Sequence, residues 1–305
     1  MRCFKWYYAG GFLGVAAFLV GLVNNPNHIK STMKTETLAS LAPPKSICDQ
    51  KFKITKTKDL KKLFEDNNYS IHDVDARHSN RIPRLYCLTV PRDIRNVTCI
   101  QEKKKLFIAM MLPMILKINE DIMIERQKIM ALRAIQDTGQ NLSDEDKEWL
   151  DSLCVKYKLK SLDIETLLER VDIIPPSIAL AQSAIESGWG TSYAALSKNS
   201  TFGMTIKLKV KSYEDLWEST YHYARNLNSN AAYKKFRKNR AHMRLNNKRW
   251  NLNQLVDSLI SYCEYGKRYT QKVIKAIHYN KFQQFDMAKL HGTEEVILSY
   301  NKNMS

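Results

Sequence analysis

The chain of 305 residues carries 48 Lys and Arg against 31 Asp and Glu, a formal net charge of +17, with 44% hydrophobic and 26% charged residues. That balance supplies a core and excludes both a mainly disordered chain and a multi-spanning membrane protein. With only 10 Gly and 8 Pro there are too few turn residues for a many-stranded barrel, so a mostly α protein is expected, its charge either dispersed over solvated faces or facing an anionic partner.

Arg2 and Lys5 precede an apolar run from Tyr7 to Val23. Residues 1–28 therefore read as a signal anchor or a signal peptide, with the membrane engaged through residues 7–23 and the rest of the chain on its far side. Intracellular nucleic acid is then not an expected partner. Residues 29–58 are polar, include Pro43 and Pro44, and read as a flexible linker.

Residues 59–160 read as a helical and extended region packed on the domain formed by residues 161–286. It opens with a short helix around Leu60–Phe64 and an extended strap from Ile82 to Val90, ended by Pro91. From Gln101 to Gln136, Leu106, Phe107, Met110, Met114, Ile118 and Ile122 share a face, which predicts one long core helix kinked near Pro113. The helix ends at Gly139, Ser143 caps the next, and a short helix spans about Ser161–Arg170. Of the cysteines at 3, 48, 87, 99, 154 and 263, none has metal-ligand spacing, although Cys87 and Cys99 could close a loop. His72, Asp73, Asp75 and His78 cluster without an HExxH motif, so no metal and no cofactor is expected.

Pro175 and Pro176 open a new helix in which Ile178, Ala181 and Ile185 recur at helical spacing, until Gly188, Trp189 and Gly190 stop it. Ala179, Ala181 and Ala184 leave room for close helix neighbours. Glu186 thus sits on the last turn of an apolar helix, where the negative end of the macrodipole and any burial both disfavour its ionised form. A carboxylic acid kept protonated near neutral pH can protonate a glycosidic oxygen. The competing reading is a helix-end carboxylate paired with a lysine, and Trp189 reads equally as a sugar platform or a core anchor.

From Ser187 through Tyr213 there is no Asp or Glu, and Met204–Lys211 alternates apolar and basic residues as a small hairpin does. Glu214, Asp215 and Glu218 are the next carboxylates, with Glu218 read as structural. Helices are expected over about 213–228 and 252–262, separated by a basic run from Lys234 to Arg249 that reads as a solvated face, and residues 287–305 read as a polar, frayed tail.

The run from Pro175 to Ser192, with Ala184-Ile185-Glu186-Ser187-Gly188-Trp189-Gly190 at its centre, is followed by Asn199-Ser200-Thr201-Phe202-Gly203-Met204. Together with Tyr213–Ser219, Asn226–Tyr233 and Tyr262–Tyr269 it resembles the glucosaminidase family of peptidoglycan hydrolases, in particular its Bax-type envelope proteins, over roughly residues 59–286. The resemblance implies a mostly α, lysozyme-like domain with a short β-hairpin lobe, its catalytic part at 161–286. It implies an endo-β-N-acetylglucosaminidase acting on peptidoglycan strands on the periplasmic side of a bacterial envelope, with Glu186 as proton donor assisted by Tyr262. Gly188, Trp189, Asn199, Phe202, Gly203 and Tyr265 would then bind substrate. The missing second carboxylate favours assistance by the substrate's own N-acetyl group or by a positioned water. The alternatives are a lytic transglycosylase leaving anhydro-muramic ends and a non-catalytic wall-binding module.

Overall fold

Ile100–Asp137 is a helix of 38 residues (α2) that continues through Pro113 and carries Glu120 into the core. Every residue from 106 to 116 is buried, so this part of the helix has neighbours on all sides rather than on one stripe. The computed structural model describes residues 49–71, 81–207, 209–246, 249–294 and 296. The expected anchor, most of the expected linker, the His72–His78 cluster and most of the expected tail lie outside these residues. Among the described residues no helix is long and apolar enough to cross a membrane.

The expected short N-terminal helix is α1 (Thr57–Asp66). After α2 come α3 (Asp144–Lys156), whose Ser143 cap accepts from the Asp146 amide, and α4 (Ile164–Arg170), capped by Asp163. Each cap satisfies an amide that has no partner within its helix. The buried helix α5 (Pro176–Ser187) packs on α2, and a short helix α6 (Tyr193–Lys198) comes next. The remaining helices are α7 (Leu216–Ser229), α8 (Lys234–Leu245), α9 (Leu252–Asp257) and α10 (Lys267–Tyr279). Among the described residues, sheet is confined to three two-stranded pairs. The expected hairpin is one of them, β4 (Thr205–Ile206) antiparallel to β5 (Lys209–Val210).

The other two pairs depart from the sequence expectations. Gln50–Phe52 (β1), read as linker, pairs parallel with Leu85–Cys87 (β3), and Lys289–Leu290 (β6), read as tail, pairs parallel with Arg81–Ile82 (β2). A buried ionic cluster fixes both. Arg84 makes a bidentate pair with Glu120 of α2 at 2.9 and 2.7 Å and donates through Nε to the His291 carbonyl at 2.8 Å. Asp49 accepts from Arg84 and from the Tyr86 hydroxyl, and Thr293 donates to Glu120. Both segments are thereby held to the long helix by charge-assisted bonds that local periodicity does not encode.

The basic run also differs from a solvated face. Arg237 and Arg240 of α8 are 1% and 0% exposed, Arg237 because it donates to the carbonyls of Leu227 and Asn230 at the end of α7, Arg240 because the chain entering α5 leaves carbonyl groups that need donors. Arg240 donates to the carbonyls of Asp172 and Ile173 at 3.0 and 2.8 Å, of Glu169 at 3.1 Å, and to the Asn228 side chain at 2.8 Å. Cys87 is buried and Cys99 exposed, and both are free thiols, so the loop they could have closed is not formed.

Candidate active site

The geometry starts from α5. Ile178, Ala179, Leu180, Ala181 and Ala184 are at most 2% exposed, and the small side chains let α2, α10 and the turn Phe282–Phe285 pack on the helix from several sides. Pro175, its N-cap, offers no side-chain acceptor. Asp286 takes that role from a distance, accepting from the Ser177 amide at 2.8 Å and from its hydroxyl at 2.9 Å. At the other end the chain turns through Gly188 and Trp189, both at positive φ, into Gly190. A side chain at Gly190 would stand 3.1 Å from Val90 and 3.2 Å from Phe107, so the glycine lets the strap and α2 close on the turn.

Burial raises the Asp286 carboxyl to about 6 against an ordinary value of 3.8, while the two bonds from Ser177 oppose the shift. Between those values the folded state holds a proton that the unfolded state has lost, so stability falls as pH rises. Asp286→Asn should flatten the stability profile between about pH 4 and pH 6 relative to wild type, read from urea unfolding midpoints across that range; an unchanged slope would remove Asp286 as its source.

Glu186, half-buried, ends this helix. A Cβ added at Gly203 would collide with its Oε2, so the carboxyl rests on a residue position where only hydrogen fits. Gly203 is also at φ 64°, which an L side chain rarely adopts. Burial raises the Glu186 pKa, and the Tyr269 hydroxyl and the more distant Lys272 oppose the shift. Tyr269 is itself held from behind. The Tyr223 hydroxyl donates to Gln182 Oε1 at 2.8 Å, and Gln182 Nε2 donates to the Tyr269 oxygen at 2.9 Å. With its oxygen already accepting, Tyr269 keeps its proton for the Glu186 carboxyl.

Of the residues singled out from sequence, Glu186 and Gly203 meet directly. Tyr262 is close by, but its hydroxyl donates to the Phe202 carbonyl at 2.6 Å and its ring stacks on Tyr269 at 5.5 Å and 5°. It supports the turn under Glu186, and Tyr269 is the phenol turned to the acid. Phe202 is fully buried, stacked on Tyr223 at 4.0 Å, and Asn199 ends α6 by donating to the carbonyls of Tyr213 and Glu214. Trp189 packs edge-on against Phe107 at 5.9 Å and lies 6.1 Å from Phe282, with Lys104 over its ring. Gly188 and Tyr265 are exposed.

Two of the three downstream carboxylates, Asp215 and Glu218, are engaged locally. Asp215 caps α7 by accepting from the Glu218 amide, and Glu218 returns to the Glu214 amide, both at 2.8 Å, a reciprocal capping box. Helix α10, which brings Tyr269 and Lys272 to the site, was not among the expected helices. Its signal is the spacing of Tyr269, Val273 and Ile277, all buried, starting just after Gly266.

A family model described as mannosyl-glycoprotein endo-beta-N-acetylglucosaminidase matches residues 163–282, the stretch from the cap of α4 to the turn after α10. The protein bax of Escherichia coli strain K12 is 34% identical over 194 residues, which cover 58% of this chain and 69% of that relative. No solved structure matches the chain.

Proposed function

This chain belongs to the glucosaminidase family, and from that membership we propose that it is a peptidoglycan hydrolase, an endo-β-N-acetylglucosaminidase with Glu186 as general acid. The observation that carries the reading is the Glu186 carboxyl, half-buried at the end of an apolar helix, seated on Gly203 and pushed by burial toward its protonated form. In this state it donates its proton to the glycosidic oxygen as the bond to the anomeric carbon breaks.

Positive charge then develops at the sugar. Of the three downstream carboxylates, Asp215 and Glu218 are committed to the α7 cap and Glu214 is exposed with only its amide in that cap; we take the substrate's N-acetyl oxygen as the group that closes on the anomeric carbon. Water opens the resulting ring and returns its proton to Glu186. Tyr269 accompanies both steps because its hydroxyl favours the carboxylate left behind, whereas Tyr262 keeps the Phe202–Gly203 turn in place. Gly188 and Trp189 follow Glu186 directly and, with the exposed Tyr265, are taken as the residues that meet the glycan; Phe202 and Asn199 support the turn from within. The basic surface and an anchor at residues 7–23 suit a protein held at the periplasmic face of an envelope and acting on an anionic wall.

The test is to incubate the purified full chain with isolated peptidoglycan and identify the new ends by mass spectrometry. Reducing N-acetylglucosamine ends support the hydrolase. Anhydro-muramic ends move the chain to the transglycosylases, and wall binding without released ends leaves a binding module.

A further inference from the structure

Beside the Glu186 end of α5 lies an open cavity of about 470 Å³, walled by Trp189, by Lys272, Lys275 and Tyr279 of α10, and by Lys104 of α2. Its lining includes three lysines and no Asp or Glu. Lys104 is held in place: its Nζ donates to the Asn280 side chain at 3.0 Å and stands 4.8 Å from the ring centres of both Trp189 and Tyr279. Lys272 is close enough to Glu186 to oppose the rise in its pKa. Neither Lys272 nor Lys275 has an ion-pair partner among the described residues. Three cations over an aromatic floor concentrate positive potential at a concave surface. Such a site selects a group that is anionic yet carries apolar carbon, since bare sugar hydroxyls gain nothing from the charge.

Resting on the peptidoglycan reading, we propose that this groove is a subsite for the carboxylate-bearing peptide attached to the glycan strand. Where a peptide is attached, the lactyl carboxyl of the sugar is tied up in the amide link, so the backbone there is uncharged. Its carboxylates belong to the peptide substituents, and Lys272 and Ile185 bring the groove up to the residue that cuts the backbone. The site thereby distinguishes strands whose peptides carry free carboxylates from strands whose peptide carboxylates are blocked, and sets which bond along the strand reaches Glu186.

Binding is measured separately from turnover, with the full chain carrying Glu186→Gln, by calorimetry with two soluble probes. One is a disaccharide-tripeptide with free carboxylates and the other is the same molecule with its carboxylates converted to amides. The free form should bind about tenfold more tightly at low salt, with the ratio shrinking as salt rises. Adding Lys104→Gln, Lys272→Gln and Lys275→Gln should bring the two probes to equal affinity while the far-ultraviolet circular dichroism stays unchanged. Equal affinities before those substitutions, a preference that survives them, or capture of anionic vesicles with no binding of either probe overturns the subsite. Carboxylate-selective binding by a protein whose wild type releases no ends upholds the groove and overturns the hydrolase reading. Release of ends without selectivity does the reverse.

Discussion

Glu186→Gln is expected to lose about 10²- to 10⁴-fold in kcat/KM on isolated peptidoglycan, the range over which a positioned general acid contributes, and to lose none of its stability. Glutamine keeps the shape of the side chain and its place over Gly203 but has no proton to deliver to a leaving oxygen. The stability half comes from the same environment. Burial raises the Glu186 pKa, so above the ordinary carboxylate range the raised pKa costs the folded state free energy that a neutral amide does not. The variant should therefore melt at or slightly above the wild-type temperature, a site tuned for chemistry at the expense of stability.

The sign of the pH dependence is also set. A general acid works while protonated, so kcat/KM should fall on the basic side as pH passes the raised Glu186 pKa. Tyr269→Phe removes a donor that favours the carboxylate and should move this basic limb to higher pH. Full activity in a folded Glu186→Gln protein would remove Glu186 from the role. A basic limb that stays in place in Tyr269→Phe would separate the two residues.

Arg240→Met is expected to cost about 3–5 kcal/mol of folding stability, the usual consequence of removing one side of a buried charged network. Arg240 is fully buried, and its guanidinium serves four backbone carbonyls and Asn228 while lying 3.8 Å from Asp172. Burial lowers its pKa to about 10, which leaves the group charged at neutral pH. Asp172 is raised by burial, but Arg240, Arg244 and Arg126 outweigh that and hold it ionised. Methionine would match much of the volume and take a donor from the carbonyls of residues 169, 170, 172 and 173 in the core, of which residue 172 keeps the Asn228 amide and residue 170 the Asp172 amide. Arg240→Lys keeps a charge but not the planar fork and should recover part of the loss. Urea unfolding at pH 7 measures both, and a loss below about 1 kcal/mol in Arg240→Met would mean that water satisfies those carbonyls.

Some helix limits were legible in the sequence because their signals are local. Ser143 stands where a side-chain oxygen can cap the turn just after it, and Pro176 and Gly188 bracket α5 by their own backbone geometry; Asp163 and Asp215 cap in the same way, two residues after the starts expected at 161 and 213. Glu186 could be singled out on the same basis, since a carboxylate on the last turn of an apolar helix meets the dipole and the core whatever packs around it. The identity of its partners was decided only in three dimensions. Tyr262 and Tyr269 are one helical stretch apart in sequence, and the change at Gly266 from the turn Ile260–Tyr262 into α10 determines which hydroxyl faces the acid. The same holds for the burial of Arg237 and Arg240 in a run that composition marks as solvated, and for the pairing of residues 81–82 with 289–290. A helix closes its hydrogen bonds four residues away and so records itself in spacing, whereas a buried guanidinium or a two-residue parallel strand is stabilised by carbonyls and amides supplied from distant parts of the chain.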